Sequence, residues 1–163
     1  MKQIVIGILA VLALYGCNGN AQQINNKKMS KLIYVMDPLC GWCYGNSANT
    51  QHLYDTYKNQ IDFEILPAGM WIGENARKQS KPRAQYIKKH DLQIQQVTGT
   101  AFGQDYFKFV ENESIVLDSE IPSRAIVTVK KIWATQAVSF AIEVQKARYL
   151  HAKDLNDDAT YLS

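Results

Sequence analysis

Cysteine is scarce in this chain: three residues in 163, too few for a small domain stapled by disulfides. Long apolar runs are missing too, and no stretch reaches the roughly 20 residues that a membrane-spanning helix needs. Charge of one sign is also lacking. Lys and Arg number 18 against 15 Asp and Glu, a net +3 spread along the chain, which excludes the basic surface expected of a nucleic-acid binder. Proline occurs only at positions 38, 67, 82 and 122, and there is no internal repeat. What is present is the balance of a folded globular protein, 47% hydrophobic and 20% charged, in a length suited to one domain.

The N-terminus reads as an address. Lys2 precedes an apolar run from Ile4 to Tyr15, too short to span a bilayer and suited to the core of a signal peptide. The run ends in Leu14-Tyr15-Gly16-Cys17, which resembles the lipobox of bacterial lipoproteins, with Tyr15 in place of the usual small residue. Residues 1–16 are therefore expected to be a lipoprotein signal peptide and Cys17 the lipidated residue. An ordinary secretory signal with an incidental cysteine is the other reading. Either way an oxidising compartment is expected, in the bacterial cell envelope facing the periplasm or exterior. Residues 17–30 are polar and aperiodic, as a flexible tether would be. With Cys17 set aside, Cys40 and Cys43 form the remaining pair.

The folded part is expected from Lys31. Leu32 to Met36 is a continuous apolar run, as in a buried parallel strand. Asp37-Pro38 breaks it, and Cys40-Gly41-Trp42-Cys43 opens a helix to about Lys58. Ile61 to Leu66 reads as a second strand, closed by Pro67 and Gly69. A strand–helix–strand unit of this length suits a parallel pair. Helices are expected at Lys81–Val97, with Pro82 in the first turn and Gly99 at the end, and at Gln104–Val110, Pro122–Trp133 and Thr135–His151. Asn156 or Asp157 can cap a last turn. Residues 31–75 thus form one unit and residues 76–163 a helical one.

The chemistry lies in Cys40 and Cys43. A cysteine at a strand-to-helix turn meets unpaired N–H groups and the positive end of the helix dipole, which favour its thiolate. A second cysteine three residues on lies one turn away, within reach of a disulfide. Cys40 is expected to be the exposed nucleophile with a lowered pKa, and Cys43 the more buried resolving thiol. A three-residue spacing removes little chain entropy, so a purely structural bridge is the weaker reading. Zinc needs four ligands, and His52, His90 and His151 are scattered, so neither a metal nor another cofactor is expected.

The segment Val35-Met36-Asp37-Pro38-Leu39-Cys40-Gly41-Trp42-Cys43-Tyr44-Gly45 resembles the active-site region of DsbA-family proteins of the FrnE-like branch. Leu66-Pro67-Ala68-Gly69-Met70-Trp71 resembles the segment after the second strand. Leu117-Asp118-Ser119-Glu120-Ile121-Pro122-Ser123-Arg124-Ala125 resembles the family's Ser-Arg-Ala segment, and the stretches 145–149 and 153–155 resemble its later helical part. The resemblance implies an α/β, thioredoxin-like fold with a helical insertion domain, and dithiol–disulfide exchange. It also implies that the C-terminal strand pair, the last helix and a cis-proline facing the cysteines are missing from this chain. Cysteine-containing exported proteins and a redox-recycling partner are the implied partners, with the membrane reached through lipid on Cys17 and no nucleic acid involved. An inactive remnant or a non-catalytic, lipid-anchored interaction module is the competing expectation. A glutathione-dependent isomerase is a weaker one, since that branch generally carries serine in place of Cys40.

Secondary residues carry narrower expectations. Trp42, Met70 and Trp71 can line a substrate groove, or Met70 and Trp71 can pack between sheet and helices. Arg124 can stabilise the Cys40 thiolate, or form a surface ion pair. His52, nine residues beyond Cys43, is expected to be structural or solvated, and Lys88-Lys89-His90 a solvated helix end.

Overall fold

The computed structural model describes residues 30–162. The expected signal peptide, Cys17 and nearly all of the tether lie outside these residues. Strand β1 (Lys31–Met36) leads into α1 (Gly41–Gly45) and α2 (Ser47–Tyr57), followed by β2 (Asp62–Pro67). β1 and β2 pair in parallel, Leu32 opposite Phe63 and Met36 opposite Pro67. The helix expected to run unbroken to Lys58 is jointed at Asn46, where α1 hands over to α2. The joint stays hydrogen-bonded, because Asn46 N–H donates to Trp42 O and Thr50 N–H to Asn46 O, each at 3.0 Å.

The second half is mainly helical, with one departure. Two-residue strands β3 (Arg77–Lys78) and β4 (Val116–Leu117) pair antiparallel on either side of α3 (Lys81–Thr98) and α4 (Gln104–Phe109). Then come α5 (Glu120–Ile132) and α6 (Ala137–Tyr149), and a closing 3-10 turn at Asp158–Tyr161, capped by the Asp157 carboxylate accepting from Ala159 N–H. Gly99 ends α3 in the left-handed conformation that glycine tolerates best.

Packing joins the halves. Met36 and Ile65 of the sheet share a buried core with Ile126 of α5, Ala137, Ala141 and Val144 of α6, and Leu155. A second core is aromatic. Tyr44, Phe102, Tyr106 and Tyr149 are buried together with Ile94 and Val110. Tyr44 and Tyr149 stack at 4.8 Å between centroids, and Phe102 meets both edge-on. This cluster fixes α1 against α4 and α6, and so fixes the turn that carries the cysteines.

Two glycines let α3 approach α1. A Cβ on Gly41 would lie 2.4 Å from the Asp91 carboxylate, and one on Gly45 would lie 2.5 Å from Ile94 Cγ2. Glycines four apart present one smooth strip of helix, and α3 rests on it. The close approach of α4 to α6 needs glycine as well. A Cβ on Gly103 would sit 2.1 Å from the Leu150 carbonyl oxygen.

Candidate active site

Asp37 ends β1 and organises the turn before the cysteines. Its buried carboxylate accepts from Leu39 N–H (2.8 Å) and the Ser119 hydroxyl (2.9 Å) through one oxygen, and from Met70 N–H (2.5 Å) through the other. Trp71 N–H donates to Ser119 Oγ at 3.2 Å, and Ser119 N–H returns a bond to Trp71 O at 2.8 Å. One carboxylate therefore ties the dithiol turn, the loop after β2 and the start of α5 together. Cys40 N–H donates to Asp37 O at 3.1 Å, closing the turn.

Cys40 caps α1. Its sulfur accepts from Cys43 N–H at 3.3 Å. The Cys43 thiol also donates to it, and the Trp42 N–H adds a further bond, so the Cys40 pKa falls to about 7 against the opposing effects of burial and the Asp37 charge. Cys43 shifts the other way. It holds its proton because that proton bonds to Cys40, and burial adds to the effect. Both thiols are free and half-buried. The expected contrast in burial is therefore corrected: hydrogen bonding, and not exposure, distinguishes the two thiols.

Cys40 opens onto a cavity of about 450 Å³. Trp42, Met70 and Trp71 line it together. Arg77 lies over the Trp71 ring at 5.0 Å, which holds that wall. The opposite wall comes from α3, through Tyr86, Ile87 and His90. The floor is polar and was not foreseen: Asp91, Tyr106, Arg148 and Tyr149. Tyr106 donates to Asp91 Oδ2 at 2.6 Å, and burial pushes the Asp91 carboxyl up to about 6.

Arg124 does not join this site. It is exposed and pairs with Glu120, one turn back on α5, at 3.3 Å, so its expected role beside the thiolate is replaced by a surface ion pair. His52 is exposed. Lys88-Lys89-His90 lies within α3, and not at its end. Lys88 bonds Glu111, while His90 faces the cavity. Among the described residues, no three His, Cys, Asp or Glu side chains gather as a metal site, and no helix is long and apolar enough to cross a membrane.

A C-x-x-C dithiol at the turn from a parallel strand into a helix, backed by a helical layer, defines a thioredoxin-like α/β class. Solved structures of this class match the chain. The cytosolic disulfide reductase DsbM from Pseudomonas aeruginosa is 29% identical with a TM-score of 0.68, covering 81% of this chain and 60% of its own. DsbM with GSH gives 28% and 0.68, covering 81% and 61%. A protein from Nitrosomonas europaea, provisionally described as a protein disulfide isomerase, gives 23% and 0.71, covering 81% and 61%. The chain thus has the DsbA-like thioredoxin fold and spans about three fifths of the length of these proteins. No protein-family profile and no curated protein matches it.

Proposed function

We propose that this chain is a thiol–disulfide oxidoreductase in which Cys40 attacks and Cys43 resolves. The observation that carries the reading is the asymmetry of the pair: both the N–H and the thiol of Cys43 are directed at the Cys40 sulfur, which favours one thiolate and keeps the other protonated. The Cys40 thiolate attacks a substrate disulfide, one substrate sulfur leaves as a thiolate, and a mixed disulfide forms. Cys43 then gives up its proton and attacks Cys40 Sγ, which releases the second substrate sulfur and leaves the Cys40–Cys43 disulfide. Two electrons pass to the substrate, and the reverse sequence oxidises a dithiol.

The disulfide reductase activity in the name of DsbM supports the reading, and its structure with GSH supports a small thiol as one partner of such a site. The finer reading rests on this chain's own sequence. The export signal and Cys17 support a lipid-anchored protein of the bacterial envelope that acts on cysteines of exported proteins. The Asp37-Pro38 and Ser123-Arg124-Ala125 segments support the FrnE-like branch. Trp42, Met70 and Trp71 are assigned to substrate contact.

Exchange with a model dithiol tests the roles. Cys40→Ser should abolish turnover, and Cys43→Ser should trap mixed disulfides that mass spectrometry detects. Wild-type turnover in both variants would overturn this assignment of roles, whereas no turnover by the wild-type chain would leave the non-catalytic module as the better account.

A further inference from the structure

Arg148 sits on α6 at the floor of the dithiol cavity and is 3% exposed. Its Nε has no hydrogen-bond partner. No carboxylate of the described residues lies within 4.0 Å of its guanidinium. Its neighbours are mainly rings: Tyr106, Phe109 and Tyr149 lie at 5.9, 5.4 and 5.8 Å from the guanidinium carbon, and the Tyr106 hydroxyl also accepts from the guanidinium. Ring faces attract a cation but do not replace a lone-pair acceptor in its plane. Asp91 shares the floor, yet one of its oxygens is taken by Tyr106 and the other faces Gly41. A buried guanidinium with one hydroxyl acceptor, an unpartnered Nε and no carboxylate partner is costly, and its fork matches a carboxylate.

We propose that Arg148 anchors a carboxylate at the floor of this cavity, so that the site prefers small anionic thiols and disulfides over neutral or cationic ones. The proposal rests on the oxidoreductase reading and names its substrate class. The cavity, at about 450 Å³, has the size of a small-molecule site. Cys40 and Arg148 line the same space, so a ligand with sulfur at one end and a carboxylate at the other can meet both. Trp42, Met70 and Trp71 cover the carbon chain between. The reaction is the exchange already described: the Cys40–substrate S–S bond forms as the substrate S–S bond breaks, and the carboxylate-bearing thiolate that leaves takes a proton from water.

Three aliphatic disulfides of similar length test it: 3,3′-dithiodipropionate (anionic), bis(2-hydroxyethyl) disulfide (neutral) and cystamine (cationic). Each is reacted with the reduced full chain in detergent. The rate of the Cys40→Ser variant is subtracted to remove Cys17. Each result is then divided by the rate with free 2-mercaptoethanolate, which corrects for intrinsic reactivity. The expected order is anionic, neutral, cationic, with the first about tenfold or more above the second, as one charge-assisted contact would give. Arg148→Met should bring that ratio near one, with folding checked by a thermal melt. A wild-type ratio near or below one overturns the proposal without any variant. So does an unchanged ratio in a folded Arg148→Met. If none of the three disulfides reacts through Cys40, the oxidoreductase reading itself fails, whereas equal reaction with all three removes the anchor alone.

Discussion

About half of the Cys40 thiols are ionised near pH 7, because Cys43 offers that sulfur two hydrogen bonds. Only the thiolate reacts, so alkylation of Cys40 by iodoacetamide should rise about tenfold per unit from pH 5 toward 7 and level off above about pH 8. In Cys43→Ala the thiol donor is gone, and the midpoint should move up. A wild-type midpoint near 9 would remove the hydrogen-bond account. Asp91 gives a second, opposite dependence. Its folded pKa, about 6, lies above its ordinary value, and burial is the main cause. The folded state therefore holds the proton more tightly than the unfolded chain does. The stability this contributes is complete below about pH 4 and is lost as pH rises through 6. Asp91→Asn removes the ionisation while its carbonyl still accepts from Tyr106, so it should raise Tm at pH 8 and change it little at pH 4. An equal change at both pH values would point to packing instead.

At the scale of elements, glycine decides how closely the helices pack. Gly103→Ala would drive a methyl group into the Leu150 backbone, a clash that only movement of α4 from α6 relieves. It should cost about 1–3 kcal/mol, read as a lower urea midpoint with an unchanged slope. Gly45→Ala meets a side chain, Ile94, and should cost less. These elements differ in how far the sequence announces them. The longer helices are legible because Pro82, Gly99 and the apolar spacing mark their ends and faces. β1 and β2 are legible from their apolar runs. β3 and β4 are not, since two residues carry no period, and their pairing depends on where α3 and α4 return the chain. The site divides in the same way. Cys40, Cys43 and Trp42 stand in a local motif, and Met70 and Trp71 follow a strand end. Asp91 and Arg148 are hidden because a lone charge on a helix normally reads as a solvated face. Only the approach of α3 and α6 to the dithiol turn buries both. Arg124 shows the converse: a residue in a recognisable segment whose helix turns it toward Glu120.

At the scale of the whole molecule, the sheet has one dressed face and, among the described residues, one bare one. Ile33 and Val35 are 51% and 55% exposed, and Leu66, opposite Val35, is 42% exposed. Helices α5 and α6 cover the other side through Met36 and Ile65. A contiguous apolar patch of this kind should bind an apolar dye. Replacing Ile33 and Val35 by threonine, which keeps strand propensity, should weaken dye binding and leave the Cys40 alkylation profile unchanged. A profile that shifts would show that the bare face and the dithiol are coupled. The seating of α3 on Gly41 has a further consequence. In a C-x-x-C pair the two intervening residues set the redox poise, and here they are not equivalent. Position 41 is closed by the Asp91 carboxylate 2.4 Å from any Cβ, while Trp42 is 48% exposed and open to replacement. A library randomised at both positions and selected for folding should return glycine at 41 beside many residues at 42. The reduction potential of this scaffold would then be adjustable through a single side chain, and one that also borders the dithiol cavity.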